Sequence, residues 1–106
     1  MQTNELIAFI LDKIDDMKAK DIVSLDVRNT SNVAEYMVVC SGTSNRHTRS
    51  VVDHLHKEAK KAGICVLGIE GEKSGEWVLI DLGDVIVHVM QEETRQFYQL
   101  ENLWAA

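Results

Sequence analysis

The apolar positions of the chain repeat at helical spacing in three segments. From Asn4 to Lys20, apolar side chains recur every three or four residues and acids take the opposite side, which predicts an amphipathic helix. A second helix follows the segment SGTSN (residues 41–45), with Ser44 or Thr43 as its cap. Its predicted buried stripe consists of Val51, Val52, Leu55, Ala59 and Ala62. A third helix is predicted from about Glu92 to Trp104.

Five further segments have the composition and alternation of β-strands. Residues 21–29 alternate apolar and polar side chains, as a half-buried strand requires. The run from Tyr36 to Cys40 is continuously apolar, which predicts a central strand covered on both faces. Residues 64–69 follow the second helix, and this strand–helix–strand order predicts a right-handed parallel crossover. Residues 77–82 and 85–90 are separated by a very short connection, which indicates a hairpin.

The order of these elements predicts the fold class. Helix, two strands, helix, three strands and helix describe an α+β (mixed α/β) fold, with a mixed sheet of about five strands packed with helices. A chain of 106 residues fits one domain, so we expect residues 1–106 to fold as a single unit. A hydrophobic content of 45% is too high for a disordered chain.

Charge is distributed unevenly along the chain. The net charge is −6, and residues 1–61 contain equal numbers of acids and bases, so the whole excess of acid lies in residues 62–106. A one-sided acidic field repels nucleic acid and attracts basic partners. The alternative, that these acids only keep the protein in solution, is equally compatible with charge alone.

The sequence predicts a cytoplasmic protein. No basic leader opens the chain, and no apolar run approaches the roughly 20 residues that a membrane-spanning helix needs. Cys40 and Cys65 both lie in apolar runs, so we expect two small buried hydrophobic residues without a disulfide.

Candidate catalytic and cofactor sites are weak. The SGTSN turn lacks the glycine and lysine spacing of a phosphate-binding loop, and the histidines lack metal-binding spacing. Asp81 and Asp84 are three residues apart on either side of Gly83, whereas a nucleotidyl-transfer site needs two acids on one strand face. We therefore predict no catalytic residues, no metal and no cofactor. A nucleotidyltransferase-like enzyme stays open as an alternative.

Two surfaces could bind a macromolecule. Trp77, Leu79 and Asp81 alternate along one strand and so share a face, and tryptophan is enriched in interface hot spots, although it is equally common in cores. The second helix carries basic residues, among them Arg46 and Arg49, but aromatic residues do not alternate with them. Contact of this helix with a phosphate backbone stays an alternative, but we favour a solvated helix face and do not expect RNA contact to dominate.

Three motifs carry a resemblance to a known family. They are the turn G-T-S-x-x-H from Gly42, the run W-x-x-x-D-x-G-D-x-x-x-H from Trp77 to His88, and R-x-x-Y-x-L-E-x-L-W from Arg95 to Trp104. Together with the surrounding residues they closely resemble the ribosomal silencing factor family (RsfS, also called Iojap). The resemblance covers essentially the whole chain, and the combination of the last two motifs is highly specific.

The resemblance implies a translational repressor and not an enzyme. Such a protein binds the large ribosomal subunit through its L-fourteen protein and blocks joining of the small subunit when nutrients are scarce. The resemblance also implies a nucleotidyltransferase-like fold without the catalytic acids, and an ability to form homodimers. The partner-binding residues that it implies are Glu70, Trp77, Leu79, Asp81, His88, Arg95 and Tyr98.

Overall fold

Helices and strands follow one another in the predicted order. The computed structural model describes residues 2–29 and 34–98. Its elements are α1 (Thr3–Asp16), β1 (Lys20–Asp26), β2 (Tyr36–Gly42), α2 (Asn45–Lys61), β3 (Gly68–Glu70), β4 (Trp77–Asp81), β5 (Val85–Gln91) and α3 (Glu92–Tyr98). The α+β fold with a five-stranded mixed sheet is therefore confirmed.

The strands form one sheet in the order β1-β2-β5-β4-β3. β2 and β5 are parallel, whereas the other neighbouring pairs are antiparallel. Because β3 opposes β4 and β4 opposes β5, β3 runs in the same direction as β2, as the crossover prediction requires. β5 and β4 lie between these two strands, so the crossover spans two positions of the sheet. The predicted hairpin is the β4–β5 pair, and its tight turn is closed by the Leu82 N–H, which donates to the carbonyl of Val85 at 3.0 Å.

The main core lies between the sheet and the helices α1 and α2. Ile10 and Ile14 of α1 and Leu55 of α2 are completely buried against it. A smaller apolar cluster occupies the opposite face of the sheet around Val39 and Met90. β2 therefore has buried side chains on both faces, which confirms the prediction from its continuous apolar run.

Ser44 is the N-cap of α2, because its hydroxyl accepts a hydrogen bond from the backbone N–H of His47 at 3.0 Å. This confirms one of the two predicted caps. The buried residues of α2 include four of the five predicted ones, but Ala62 is exposed, since it forms the C-cap after the last helical turn. The buried stripe of α2 therefore ends at Ala59, and the prediction is wrong for Ala62.

Three other predictions differ from the structure. α1 ends at Asp16 and not at Lys20, because the backbone turns at Lys18, whose φ is 60°, so that Lys20 can pair with β2. β3 is limited to three residues, since it pairs only with the end of β4. Cys65 consequently lies before the strand and is exposed, so the prediction that both cysteines are buried is wrong for Cys65 and right for Cys40. The predicted continuation of α3 to Trp104 falls outside the described residues.

Candidate partner-binding face

One face of the sheet is turned away from α1 and α2, and we call it the far face. It consists of the odd-numbered residues of β2 and β4, the even-numbered residues of β3 and β5, and the residues of β1 that pair with them. Most of its central side chains are buried, but several large apolar ones are only partly covered. The partly exposed apolar residues include Leu25, Trp77, Leu79 and Ile86.

The register of the strands aligns three of the predicted binding residues in one row. Glu70 of β3 lies opposite Leu79 of β4, and Leu79 lies opposite His88 of β5. The row continues through Val39 of β2 to Val23 of β1. Opposite residues in neighbouring strands have their Cβ atoms only about 5 Å apart, so these side chains form one contiguous surface. It changes from an exposed carboxylate at Glu70 to buried apolar side chains at Val39.

Trp77 and His88 are joined by a hydrogen bond across this face. The indole Nε1–H of Trp77 donates to Nδ1 of His88 at 2.9 Å, and the two rings lie 5.8 Å apart at 48°. His88 is only 7% exposed, and this burial lowers the pKa of its imidazole from 6.5 to about 4. The ring is therefore neutral at pH 7, and the contact fixes the orientation of both side chains.

Asp81 and Ile86 continue the far face toward the β4–β5 turn. They lie directly opposite each other, and both are partly exposed. One oxygen of Asp81 accepts the backbone N–H of Gly83 at 2.9 Å, so this carboxylate also stabilises the turn. Ile86 was not among the predicted binding residues. Its position two residues before His88 in an alternating strand is the signal that could have found it.

Arg95 and Tyr98 belong to α3, beyond the end of the sheet. Arg95 is 8% exposed, and its guanidinium donates through Nη1 to the hydroxyl of Ser41 at 2.9 Å and to the carbonyl of Asp21 at 2.7 Å. These contacts attach α3 to β1 and β2. Tyr98 is the last residue of α3, and its side chain lies outside the described part of the chain. The structure thus brings five of the seven predicted residues together on the far face and gives Arg95 a contact within the fold.

Two polar groups of the turn between β2 and α2 are already engaged within the fold. The N–H of Thr43 donates to Nδ1 of His47 at 2.9 Å, and the hydroxyl of Ser44 caps the helix. Nε2 of His47 in turn contacts the carbonyl of Met17 at 2.7 Å, which attaches the start of α2 to the end of α1. A cavity of about 350 Å³ adjoins this turn, but Glu92 and Glu93 contribute to its lining and disfavour an anion.

The candidate catalytic groups are also engaged locally. Asp81 caps its own turn, and Asp84 accepts the hydroxyl of Thr3 at 3.2 Å. Burial raises the pKa of the Cys40 thiol to about 12, so this cysteine stays protonated and unreactive at neutral pH. Among residues 2–29 and 34–98, no group of three or more metal-binding side chains is close enough to hold an ion. Within the same ranges, no helix has the length and apolarity needed to cross a membrane.

A groove lies on the other side of the sheet, between α2 and the edge formed by β3. It has a volume of about 300 Å³ and includes Arg46, Arg49, Ser50 and His56 along one side of α2. Two acids, Asp53 and Glu72, belong to the same groove, and Asp53 forms an ion pair with Lys57. This groove therefore has mixed charge, with two arginines and two acids among its lining residues.

Comparison with known proteins identifies the family. The model of the family described as "Ribosomal silencing factor during starvation" matches residues 1–106. The chain belongs to the ribosomal silencing factor family. It is 44% identical to the ribosomal silencing factor RsfS of Haemophilus influenzae over 94% of this chain and 98% of that protein. Membership gives it a ribosome-associated silencing role, which is a regulatory one.

Two further similar proteins extend the comparison. An X-ray crystal structure from Chromobacterium violaceum matches with a TM-score of 0.95 at 38% identity, over 98% of this chain and 87% of that one. A mouse protein named "Mitochondrial assembly of ribosomal large subunit protein 1" is 36% identical over 81% of this chain and 39% of its own length. The resemblance that the motifs indicated is therefore confirmed, and so is the fold.

Proposed function

We propose that this protein represses translation by binding the L-fourteen protein of the large ribosomal subunit with its far face. The bound protein then occupies the surface that the small subunit needs, so the two subunits do not join. The observation that carries the proposal is the cross-strand row of Glu70, Leu79 and His88 with Trp77 beside it. The name of the mouse relative, which refers to the large ribosomal subunit, supports the choice of subunit.

The chemistry of the far face suits a basic protein partner. Trp77, Leu79 and Ile86 expose part of their apolar surface, and a protein interface needs such a centre to exclude water. Glu70 and Asp81 place carboxylates beside it. Ribosomal proteins are basic, so these carboxylates favour the approach and the register of such a partner. The same proposal places the protein in the cytoplasm, where translation occurs.

Co-sedimentation with separated ribosomal subunits tests this function. We expect the purified protein to travel with large subunits and not with small ones. Adding small subunits afterwards should then yield fewer joined ribosomes than a control without the protein. Migration at the top of the gradient in both cases would contradict the proposal. A nucleotide-turnover assay with magnesium would then test the enzymatic alternative.

A second candidate, contact with ribosomal RNA, is favoured by the groove beside α2. Arg46 forms no hydrogen bond or ion pair with any residue that the structure describes, and Arg49 makes one long contact of 3.3 Å with the carbonyl of Lys73. Both guanidinium groups are therefore available to phosphate. If RNA dominates binding, changing both arginines to alanine should abolish binding, and affinity should fall steeply with salt. If the far face dominates, the double variant should bind nearly as well as the wild type.

Self-association stays a prediction from the resemblance. Analytical ultracentrifugation across a range of concentrations gives the oligomeric state directly. A dimer that dissociates when Trp77 is changed to alanine would indicate that copies of the chain compete with the ribosome for the far face. A dimer that persists in this variant would indicate a different surface.

A further inference from the structure

The hydrogen bond from Trp77 determines which nitrogen of His88 carries the proton. An indole N–H can only donate, so Nδ1 of His88 must be the unprotonated acceptor in the 2.9 Å contact. The ring is neutral at pH 7, because burial lowers its pKa to about 4. A neutral imidazole with an unprotonated Nδ1 carries its proton on Nε2. His88 therefore presents one N–H donor, at Nε2.

This donor has no acceptor within the part of the chain that the structure describes. Within residues 2–29 and 34–98, no hydrogen bond involves Nε2 of His88, and its two opposite neighbours in the row, Leu79 and Val39, have apolar side chains. The residue is only 7% exposed, so water compensates the donor poorly. More than nine in ten buried polar groups in native proteins are paired, and an unpaired one calls for an explanation. The position of His88 on the far face offers an explanation, because a bound partner could supply the acceptor.

We infer that Nε2–H of His88 donates a hydrogen bond to a carbonyl oxygen of the ribosomal partner, an inference that rests on the proposed function. Trp77 acts as a positioning residue, since its indole fixes the tautomer that makes Nε2 the donor. Glu70 and Asp81 lie on the same face and repel a partner carboxylate, which leaves a neutral carbonyl of the main chain or of an amide side chain. The bond forms in the complex and satisfies a donor that finds no acceptor among the described residues.

Two substitutions of His88 distinguish the effect of its N–H donor from the effect of its side-chain volume. His88→Phe keeps a planar ring but removes both nitrogens, whereas His88→Gln keeps a carbonyl for Trp77 and an amide N–H for the partner. We expect the affinity for purified large subunits to fall about 10- to 100-fold in His88→Phe, with part of it restored in His88→Gln. His54→Phe is the matched control and should bind like the wild type, because His54 lies on α2 beside Asp16 of α1, away from both candidate surfaces.

Nuclear magnetic resonance of the ¹⁵N-labelled histidines reads the proposed bond directly. In the wild type, we expect the Nε2–H tautomer at pH 7 both free and bound to the isolated L-fourteen protein. Exchange of the Nε2 proton with solvent should slow at least tenfold in the complex. In Trp77→Phe the free protein should show a mixture of tautomers, because the donor to Nδ1 is gone. A purely structural role of His88 would leave proton exchange unchanged on binding.

The outcomes distinguish this inference from the proposed function. If the wild type and the His88→Phe variant bind large subunits equally tightly, the inference about His88 is wrong, but the proposed function is still supported. If His88→Phe does not fold, as circular dichroism would show, the exchange measurement on the wild type decides, and unchanged exchange overturns the inference. If the wild type binds neither large subunits nor the L-fourteen protein, both fail together.

Discussion

Arg95 of α3 donates to the hydroxyl of Ser41 on β2 at 2.9 Å, which connects the last described helix to a central strand of the sheet. The same nitrogen donates to the carbonyl of Asp21 in β1 at 2.7 Å. The guanidinium is almost fully buried in making these contacts. Arg95 therefore stabilises the fold, whichever surface also meets a partner.

Replacing Arg95 with alanine should lower the free energy of unfolding by about 1.5 to 3 kcal/mol, because the hydrogen bonds from its charged guanidinium to Ser41 and Asp21 are lost. Urea denaturation measures the change. Arg46→Ala removes the same side chain from an exposed position and should change stability by less than about 0.5 kcal/mol. An Arg95→Ala protein with wild-type stability but no affinity for large subunits would instead make Arg95 a direct partner contact.

Replacing Trp77 with alanine should weaken binding to large subunits at least about tenfold, because hot-spot tryptophans supply the dry centre of an interface. Circular dichroism should show that the domain stays folded, since Trp77 is only partly buried. Leu67→Ala is the matched control, because Leu67 is 65% exposed and precedes β3 outside the row of the far face. Equal binding by both variants and the wild type would exclude Trp77 from the interface.

Because His88 is buried in its neutral form, the free energy of unfolding should decrease as the pH falls from 6.5 to about 4. In this window the unfolded chain takes up a proton on the imidazole that the folded protein excludes, so the free energy of unfolding falls with pH. Burial shifts the pKa by enough to account for about 3 kcal/mol over the full window. His88→Gln should flatten this part of the stability profile measured by denaturation.

The control for the pH experiment is His56→Gln, which removes a histidine from α2. In this variant the free energy of unfolding should change with pH as it does in the wild type. Glu70 and Asp81, the carboxylates of the far face, are present in both variants, so the difference between the two profiles isolates His88. Parallel profiles for the two variants would contradict a neutral, buried His88.

Gly71 is required at the turn that leads into β4. Its φ is +84°, and a Cβ placed there would lie 2.0 Å from the carbonyl oxygen of Trp77. Gly63 has a similar φ of +75°, but nothing lies within 4 Å of its added Cβ. Gly63→Ala should therefore cost about 1 kcal/mol for the backbone conformation alone. Gly71→Ala should cost about 1 to 3 kcal/mol more for the collision.

Thermal denaturation of the two glycine variants compares these costs directly. A larger drop in Tm for Gly71→Ala is expected, together with weaker binding to large subunits, since the collision displaces the backbone of Trp77. Equal drops in Tm would show that the turn can move away from Trp77 without loss.

The sequence by itself determined the elements whose signals are local. The alternation of apolar residues, the Ser44 cap and the short link between β4 and β5 gave the order of helices and strands. They also gave the shared face of Trp77, Leu79 and Asp81, because successive side chains of a strand point to opposite sides. The motifs added the family and most of the candidate binding residues.

Only the tertiary structure decided how separate strands align. The register that places Glu70, Leu79 and His88 in one row depends on pairings between three strands, which no local pattern encodes. The exposure of Cys65 likewise follows from how far β3 extends along β4. The bond between Trp77 and His88 joins side chains eleven residues apart, and it exists because the hairpin brings their rings together on one face. Local periodicity determines which side of a strand each residue occupies. Packing of the whole sheet determines which residues become neighbours, and it determines the protonation state of a buried group such as His88.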